Sequence, residues 1–170
     1  KMRVGGGVAN DVGTALGVAG VNMPAPAVYE AISSGVTDGV FFPMETMYAF
    51  KIAELAKHTY SNPQGMYTTA FGLIMNSDSY DGLSAAHKAC VDKLTGVEMS
   101  RRVGTYWDEA DALGLEKFKE AGGKLTVASA ADQAYFADKT AGIEAKVVAA
   151  ASERGVDGAA ALAFFRSQLK

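Results

Sequence analysis

Lys1-Met2-Arg3-Val4-Gly5-Gly6-Gly7, followed by Val8-Ala9-Asn10-Asp11, decides the fold. Met2–Val4 reads as a strand that runs into a three-glycine turn, after which Asn10 or Asp11 caps a helix to about Leu16 by accepting orphan amide hydrogens. The same unit recurs downstream. Val21–Met23 reads as a second strand, Pro26 suits the first turn of a helix over about Ala27–Ser34, and Gly35 sits where a left-handed cap is wanted. Thr37-Asp38-Gly39 then turns into an apolar strand, Val40-Phe41-Phe42, which Pro43 ends. Glu45 falls in the first turn of a helix to about Ala56, with Tyr48, Ile52, Leu55 and Ala56 on one face. Strands alternating with helices at this spacing predict an α/β fold with a mostly parallel sheet.

Past Ala56 the pattern changes. Ser61-Asn62-Pro63-Gln64-Gly65 is turn chemistry, Thr68–Met75 reads as a buried strand, and Asn76–Gly82 as a loop at a lobe boundary. Leu83–Ala121 is largely helical: Ala86, Cys90 and Leu94 share one stripe and Val103, Trp107 and Ala110 another, with a break expected near Gly96 or Gly104. Gly122-Gly123 stops the helix, Lys124–Ala128 gives another strand, and Asp132–Glu153 and Gly158–Leu169 give two Ala-rich helices.

Composition removes several classes of function. The chain has 170 residues, 49% apolar and 21% charged, with a formal net charge of -3. That supports a packed core, and scattered Lys and Arg leave no footprint for nucleic acid or an anionic membrane. Cys90 is the single cysteine, so no internal disulfide forms; with only His58 and His87 beside it there is no zinc set, and no cofactor or metal site is expected. No apolar run reaches the length of a membrane span, and the start lacks a signal-peptide pattern. A strand at the first residue is read as a truncation, the alternative being an intact protein that opens on a strand.

Three segments in this order resemble the solute-binding proteins of TRAP (tripartite ATP-independent periplasmic) transporters. They are Lys1-Met2-Arg3-Val4; Val21-Asn22-Met23-Pro24 with Val28-Tyr29-Glu30-Ala31-Ile32 and Ser34-Gly35-Val36; and Thr37-Asp38-Gly39-Val40-Phe41-Phe42-Pro43 running on to Glu54-Leu55-Ala56-Lys57. The resemblance implies a type-II-like, two-lobed periplasmic binding-protein clamshell, here mostly the second lobe plus crossing and C-terminal helices. Residues 1–64 would be the second ligand-binding lobe, 65–128 strands and a long helix crossing back to the first lobe, and 129–170 C-terminal helices packing on the second. It further implies a periplasmic carrier that is not an enzyme, takes up an organic acid by its carboxylate and hands it to TRAP membrane permease subunits. The N-terminal half of the same protein, with its signal peptide, would be missing from this chain.

The resemblance also assigns the site. Arg3 matches the arginine that pairs with the ligand carboxylate, since a guanidinium fork presents two N–H donors at carboxylate spacing. Gly5 and Gly6 leave room beside it, Gly6 replacing a polar contact found in relatives. The alternative for Arg3 is a structural salt bridge. Phe42 stands where relatives often carry Asn, which together with Phe41 makes the site apolar and favours an apolar or aromatic mono- or dicarboxylate. Alternation along a strand would send one of these rings to the cleft and the other to the core. Ala25 leaves space where relatives carry an aromatic lid, and Glu45 either coordinates a cation or a ligand hydroxyl or simply complements a helix dipole. Trp107, Tyr29, Tyr48 and Cys90 read as packing residues.

Two other classes compete. An α/β nucleotide- or cofactor-binding enzyme fragment is suggested by Gly5-Gly6-Gly7 between strand and helix, but neither G-x-G-x-x-G nor a Gly-Lys-Ser/Thr loop is present. His87 and Cys90 lie on one helix with no third group to orient them. A helical interaction protein would explain the last forty or so residues but not the strand-turn units before them. With half the fold missing, Thr68–Met75 and Lys124–Ala128 are expected to lack neighbouring strands and to promote association.

Overall fold

A computed structural model describes residues 1–168. Leu169, placed by the sequence in the last helix, and Lys170, the end of the predicted 129–170 segment, lie outside the described residues. The chain divides into two compact units, one of Lys1–Phe41, His58–Tyr67 and the chain from Leu125 onward, the other of Phe42–Lys57 and Thr68–Lys124.

In the first unit β1 (Met2–Val4) leads into α1 (Gly7–Ala15), and the chain returns as β2 (Gly20–Asn22). A short 3-10 turn over Ala25–Ala27 and α2 (Val28–Ser33) then carry it to β3 (Gly39–Val40). The sheet order is β2-β1-β3, all parallel, with Arg3 opposite Val21 on one side and Val40 on the other. The Phe41 amide extends the ladder by donating to the Arg3 carbonyl at 2.9 Å. Central β1 is thus hydrogen-bonded on both edges, which fixes the backbone that carries Arg3. Val4 and Val28 are fully buried, with Ala9, Val12 and Ala31 close behind; complete burial of each valine stabilises the layer by about 1.5–3 kcal/mol.

Helix α1 begins earlier than expected and has no side-chain cap. Gly6, at φ 80°, turns the strand straight into the helix, so Asn10 and Asp11 lie inside it and not at its start. A second small sheet pairs β4 (His58–Ser61) with β5 (Lys124–Val127), and the Ala128 amide donates to the Ser61 carbonyl at 2.8 Å. Strand β4, where the sequence predicts none, gives Lys124–Ala128 a neighbour and so corrects the expectation that this segment lacks one. Helix α8 (Ala130–Glu153) starts at a capping box in which Ser129 and Asp132 satisfy each other's backbone amides. It is tied to α1 by Lys146 and Asp11 at 2.9 Å, and to α9 (Gly158–Gln168) by Arg166 and Glu144.

The second unit is helical: α3 (Thr46–Ala49), α4 (Ile52–Leu55), α5 (Ser77–Asp81), α6 (Ala85–Leu94) and α7 (Val97–Glu120). The single helix expected up to Ala56 is broken at Lys51, whose φ of 55° is left-handed and incompatible with a continuing turn. The break between α6 and α7 falls at Gly96, while Gly104 lies inside α7. At Gly114 a Cβ would stand 2.2 Å from the Met44 carbonyl oxygen, so only glycine lets α7 come this close to the chain entering α3. Thr46, Met47, Ile52, Ala53 and Phe118 are buried in this unit. Lys57 Nζ donates to the carbonyls of Ala53 (2.7 Å) and Ala121 (3.0 Å), supplying a cation to the C-terminal end of α7.

Two further expectations are corrected here. Residues 68–76 form neither helix nor strand, and Thr68–Met75 is exposed throughout, with Phe71 70% and Ile74 90% accessible. An apolar run becomes a buried strand only where another strand and a layer of side chains cover it, and among the described residues no strand pairs with this one. Cys90 is exposed, because α6 has no buried residue and its Ala86–Cys90–Leu94 stripe is left on the surface.

Candidate anion-binding site

Arg3 is 5% exposed, an unusual position for a cation. Its Nε and Nη2 both donate to the Met23 carbonyl, at 3.1 and 3.0 Å, and Nη1 donates to the Phe41 carbonyl at 3.5 Å. These acceptors lie on the two segments flanking β1, the first just after β2 and the second just after β3. They are neutral dipoles, so they orient the guanidinium without cancelling its charge. Burial pushes the Arg3 pKa down, and the nearby Tyr67 phenol partly opposes this; an arginine stays protonated through such a shift. The Tyr67 hydroxyl donates to the same Phe41 carbonyl, at 3.1 Å.

The glycines complete this corner. A Cβ on Gly5 would lie 3.6 Å from Arg3 Nη2, so the turn passes directly beside the guanidinium. A Cβ on Gly6 would lie 3.2 Å from the Asn22 side-chain nitrogen, and only glycine readily takes Gly6's positive φ. The turn ends at the N-terminus of α1, whose first turn carries no acidic residue and whose amides receive no side-chain cap. A buried guanidinium and the positive end of a helix therefore meet on one short turn, an arrangement suited to an anion. Phe41 sends its ring toward α1, 3.7 Å from the place a Gly13 Cβ would occupy, and its carbonyl toward Arg3. Ala25 opens the 3-10 turn two residues beyond Met23 and is half-buried.

Phe42 and Glu45 belong to the second unit. The Phe42 ring packs on Phe50 with centroids 5.5 Å apart. Glu45 precedes α3, and its amide donates to Asp111 Oδ1 at 2.8 Å. One of its carboxylate oxygens is buried without a hydrogen-bond partner. Burial, and then the Asp111 charge, raise the Glu45 pKa, while the amides of Thr46 and Glu45 itself pull it back. Among the described residues no group of three or more His, Cys, Asp or Glu could hold a metal ion. Two open hollows, about 440 Å³ around Tyr80 and Asp92 and about 470 Å³ around Phe136 and Arg166, include none of the predicted site residues.

Sequence reasoning missed the Met23 and Phe41 carbonyls and the Tyr67 hydroxyl. Met23 had a signal, since a residue before proline is held extended and its carbonyl points away from a helical path. Tyr67 had none.

Fold and corner together describe an α/β protein in which a buried, carbonyl-held guanidinium lies beside the uncapped start of a helix. The profile described as bacterial extracellular solute-binding protein, family 7, matches residues 1–150, and the chain belongs to that family. The C4-dicarboxylate-binding periplasmic protein DctP of Rhodobacter capsulatus is 31% identical over 107 residues, which are 63% of this chain and 29% of that one. A TRAP periplasmic solute-binding protein of Bordetella bronchiseptica, solved with (R)- and (S)-mandelate, superposes with a TM-score of 0.92 at 36% identity, over 98% of this chain and 53% of that one. One from Rhodoferax ferrireducens, solved with benzoate, gives 0.91 at 28% identity, over 98% and 52%. The chain thus spans about half the length of the solved relatives it matches. The family and these neighbours are transport solute-binding proteins and not enzymes, which sets aside the nucleotide-enzyme alternative. No helix among the described residues is long and apolar enough to cross a membrane.

Proposed function

We propose that this chain is part of a periplasmic TRAP solute-binding protein that captures an organic acid by its carboxylate at Arg3 and delivers it to the membrane permease subunits. The observation that carries the proposal is the buried guanidinium held by two carbonyls beside Gly5 and the α1 N-terminus. Gly5, Gly6, Phe41 and Ala25 are the proposed neighbours of the ligand in the first unit; Phe42 and Glu45 are the contacts proposed for the second. An aromatic or otherwise apolar acid is favoured, because phenylalanines stand where a polar side chain would read a second carboxylate or a sugar hydroxyl. The mandelate and benzoate bound by the two superposed relatives support the same class. A preceding half of the same protein is the proposed cover for Phe71, Leu73 and Ile74, a reading supported by the half-length match.

Thermal unfolding in the presence of ligand tests the proposal. At about a hundredfold excess over Kd, benzoate or mandelate should stabilise the chain by about 2.7 kcal/mol, which raises Tm by roughly 5–10 °C at this size. Nucleotides and uncharged aromatic amides should leave Tm unchanged. Stabilisation by a nucleotide and by none of the carboxylates would contradict it.

A further inference from the structure

We propose that Tyr67 is a positioning residue for the anion site: its hydroxyl holds the Phe41 carbonyl in the orientation that aims the Arg3 guanidinium. The inference rests on the carboxylate reading of Arg3 and adds to it a residue from a different part of the chain.

The geometry is specific. Phe41 lies one residue beyond β3, where the regular ladder has ended, so its carbonyl is no longer fixed by a neighbouring strand. That carbonyl accepts from Arg3 Nη1 at 3.5 Å, longer than the two bonds to Met23, and from Tyr67 Oη at 3.1 Å. The other end of the guanidinium is anchored twice on one atom, the Met23 carbonyl oxygen. Phe41 adds a hold on a second atom from a different segment, and holds at separate points help fix the plane that bidentate recognition of a carboxylate requires. The shorter tyrosine bond therefore steadies the acceptor of the longer arginine bond. Tyr67 is half-buried, and it follows Asn62, a buried residue whose side chain accepts from the Gln64 amide, so the segment delivering the hydroxyl is itself held.

The role predicts coupling. Tyr67→Phe keeps the ring and removes one hydroxyl, so circular dichroism should match wild type. Benzoate affinity, measured by calorimetry, should fall about threefold to tenfold, the range for one lost hydrogen bond. In an Arg3→Lys background the same substitution should cost less than about twofold, because the tyrosine acts through the guanidinium it steadies. Equal losses in the two backgrounds, or no loss in the first, would overturn the proposal. A second readout needs no ligand: in ¹⁵N-labelled protein, hydrogen exchange at Arg3 Nε–H should quicken by about fivefold or more in Tyr67→Phe as the group loosens. An unchanged rate there counts against Tyr67 even if benzoate binding is altered. Failure of the wild-type chain to bind any carboxylate would instead strike the reading of Arg3, and the exchange measurement would still decide the tyrosine's part.

Discussion

The Arg3 corner and the Thr68–Met75 stretch invert the usual rule in opposite directions. In the first a permanent cation is buried; in the second Phe71, Leu73, Ile74 and Met75 face outward. The corner is supported from within its own unit, by the carbonyls of Met23 and Phe41 and the ladder on both edges of β1. The stretch has neither a ladder partner nor a covering layer among the described residues. A polar group pays for burial only when its hydrogen bonds are met nearby, so the corner is a local construction. An apolar run is satisfied only by area, which another part of a polypeptide has to provide.

Substitutions that treat the two regions alike would break this contrast. The largest effect is expected for Phe118→Ala, which empties a fully buried ring position in the second unit and should cost about 3–5 kcal/mol in urea unfolding. Phe71→Ala removes the same ring from a site 70% exposed, where it meets the Trp107 ring at 4.8 Å, and should cost less than about 1 kcal/mol. Similar costs would mean that Phe71 is covered in solution. Next comes Arg3→Lys, which keeps the charge and loses the fork; benzoate binding should weaken by about 1.5–3 kcal/mol, and unchanged affinity would remove Arg3 from the site. Leu73→Ser with Ile74→Ser should reduce self-association in sedimentation velocity without altering ligand affinity, whereas a wild-type chain that is already monomeric at high concentration would leave the exposed run without its expected consequence.

The smallest effect concerns Glu45. Its pKa in the folded chain is raised above the unfolded value, so the folded state holds its proton more tightly, and the stability this supplies at low pH is lost as pH rises through the folded value. Glu45→Gln abolishes that loss. It should raise Tm at pH 8 and leave it close to wild type at pH 4 in parallel thermal melts; the same change at both pH values would contradict the assignment.

How far the sequence carried the fold follows the same division. Strand β1, strand β2 and helix α2 were readable because turn residues and periodicity act within a few residues of each other, and the Gly122-Gly123 stop fell where α7 ends. Helix α8 starts at Ala130, two residues before the expected Asp132, because Ser129 and Asp132 form a capping box that fixes the start there. The left-handed backbone of Lys51 separates α3 from α4, and a lysine carries no signal for it. Thr68–Met75 departs from the expected buried strand for a deeper reason: composition says that a segment needs cover, not whether cover is there. Within the candidate site, Arg3 and its glycines were named from motif alone, while the groups that aim it are two backbone carbonyls and a tyrosine far along the chain. Carbonyl direction is set by tertiary register, which no residue type reports.

The most direct measurement is a titration of ¹⁵N-arginine-labelled protein with benzoate, followed at the side-chain Nε–H resonances. Expected is a saturable shift of the Arg3 resonance alone, with Arg101, Arg102, Arg154 and Arg166, which are exposed, unmoved. A shift confined to any of those arginines, or an Arg3 resonance that stays fixed while benzoate binds, would contradict capture of the carboxylate at Arg3.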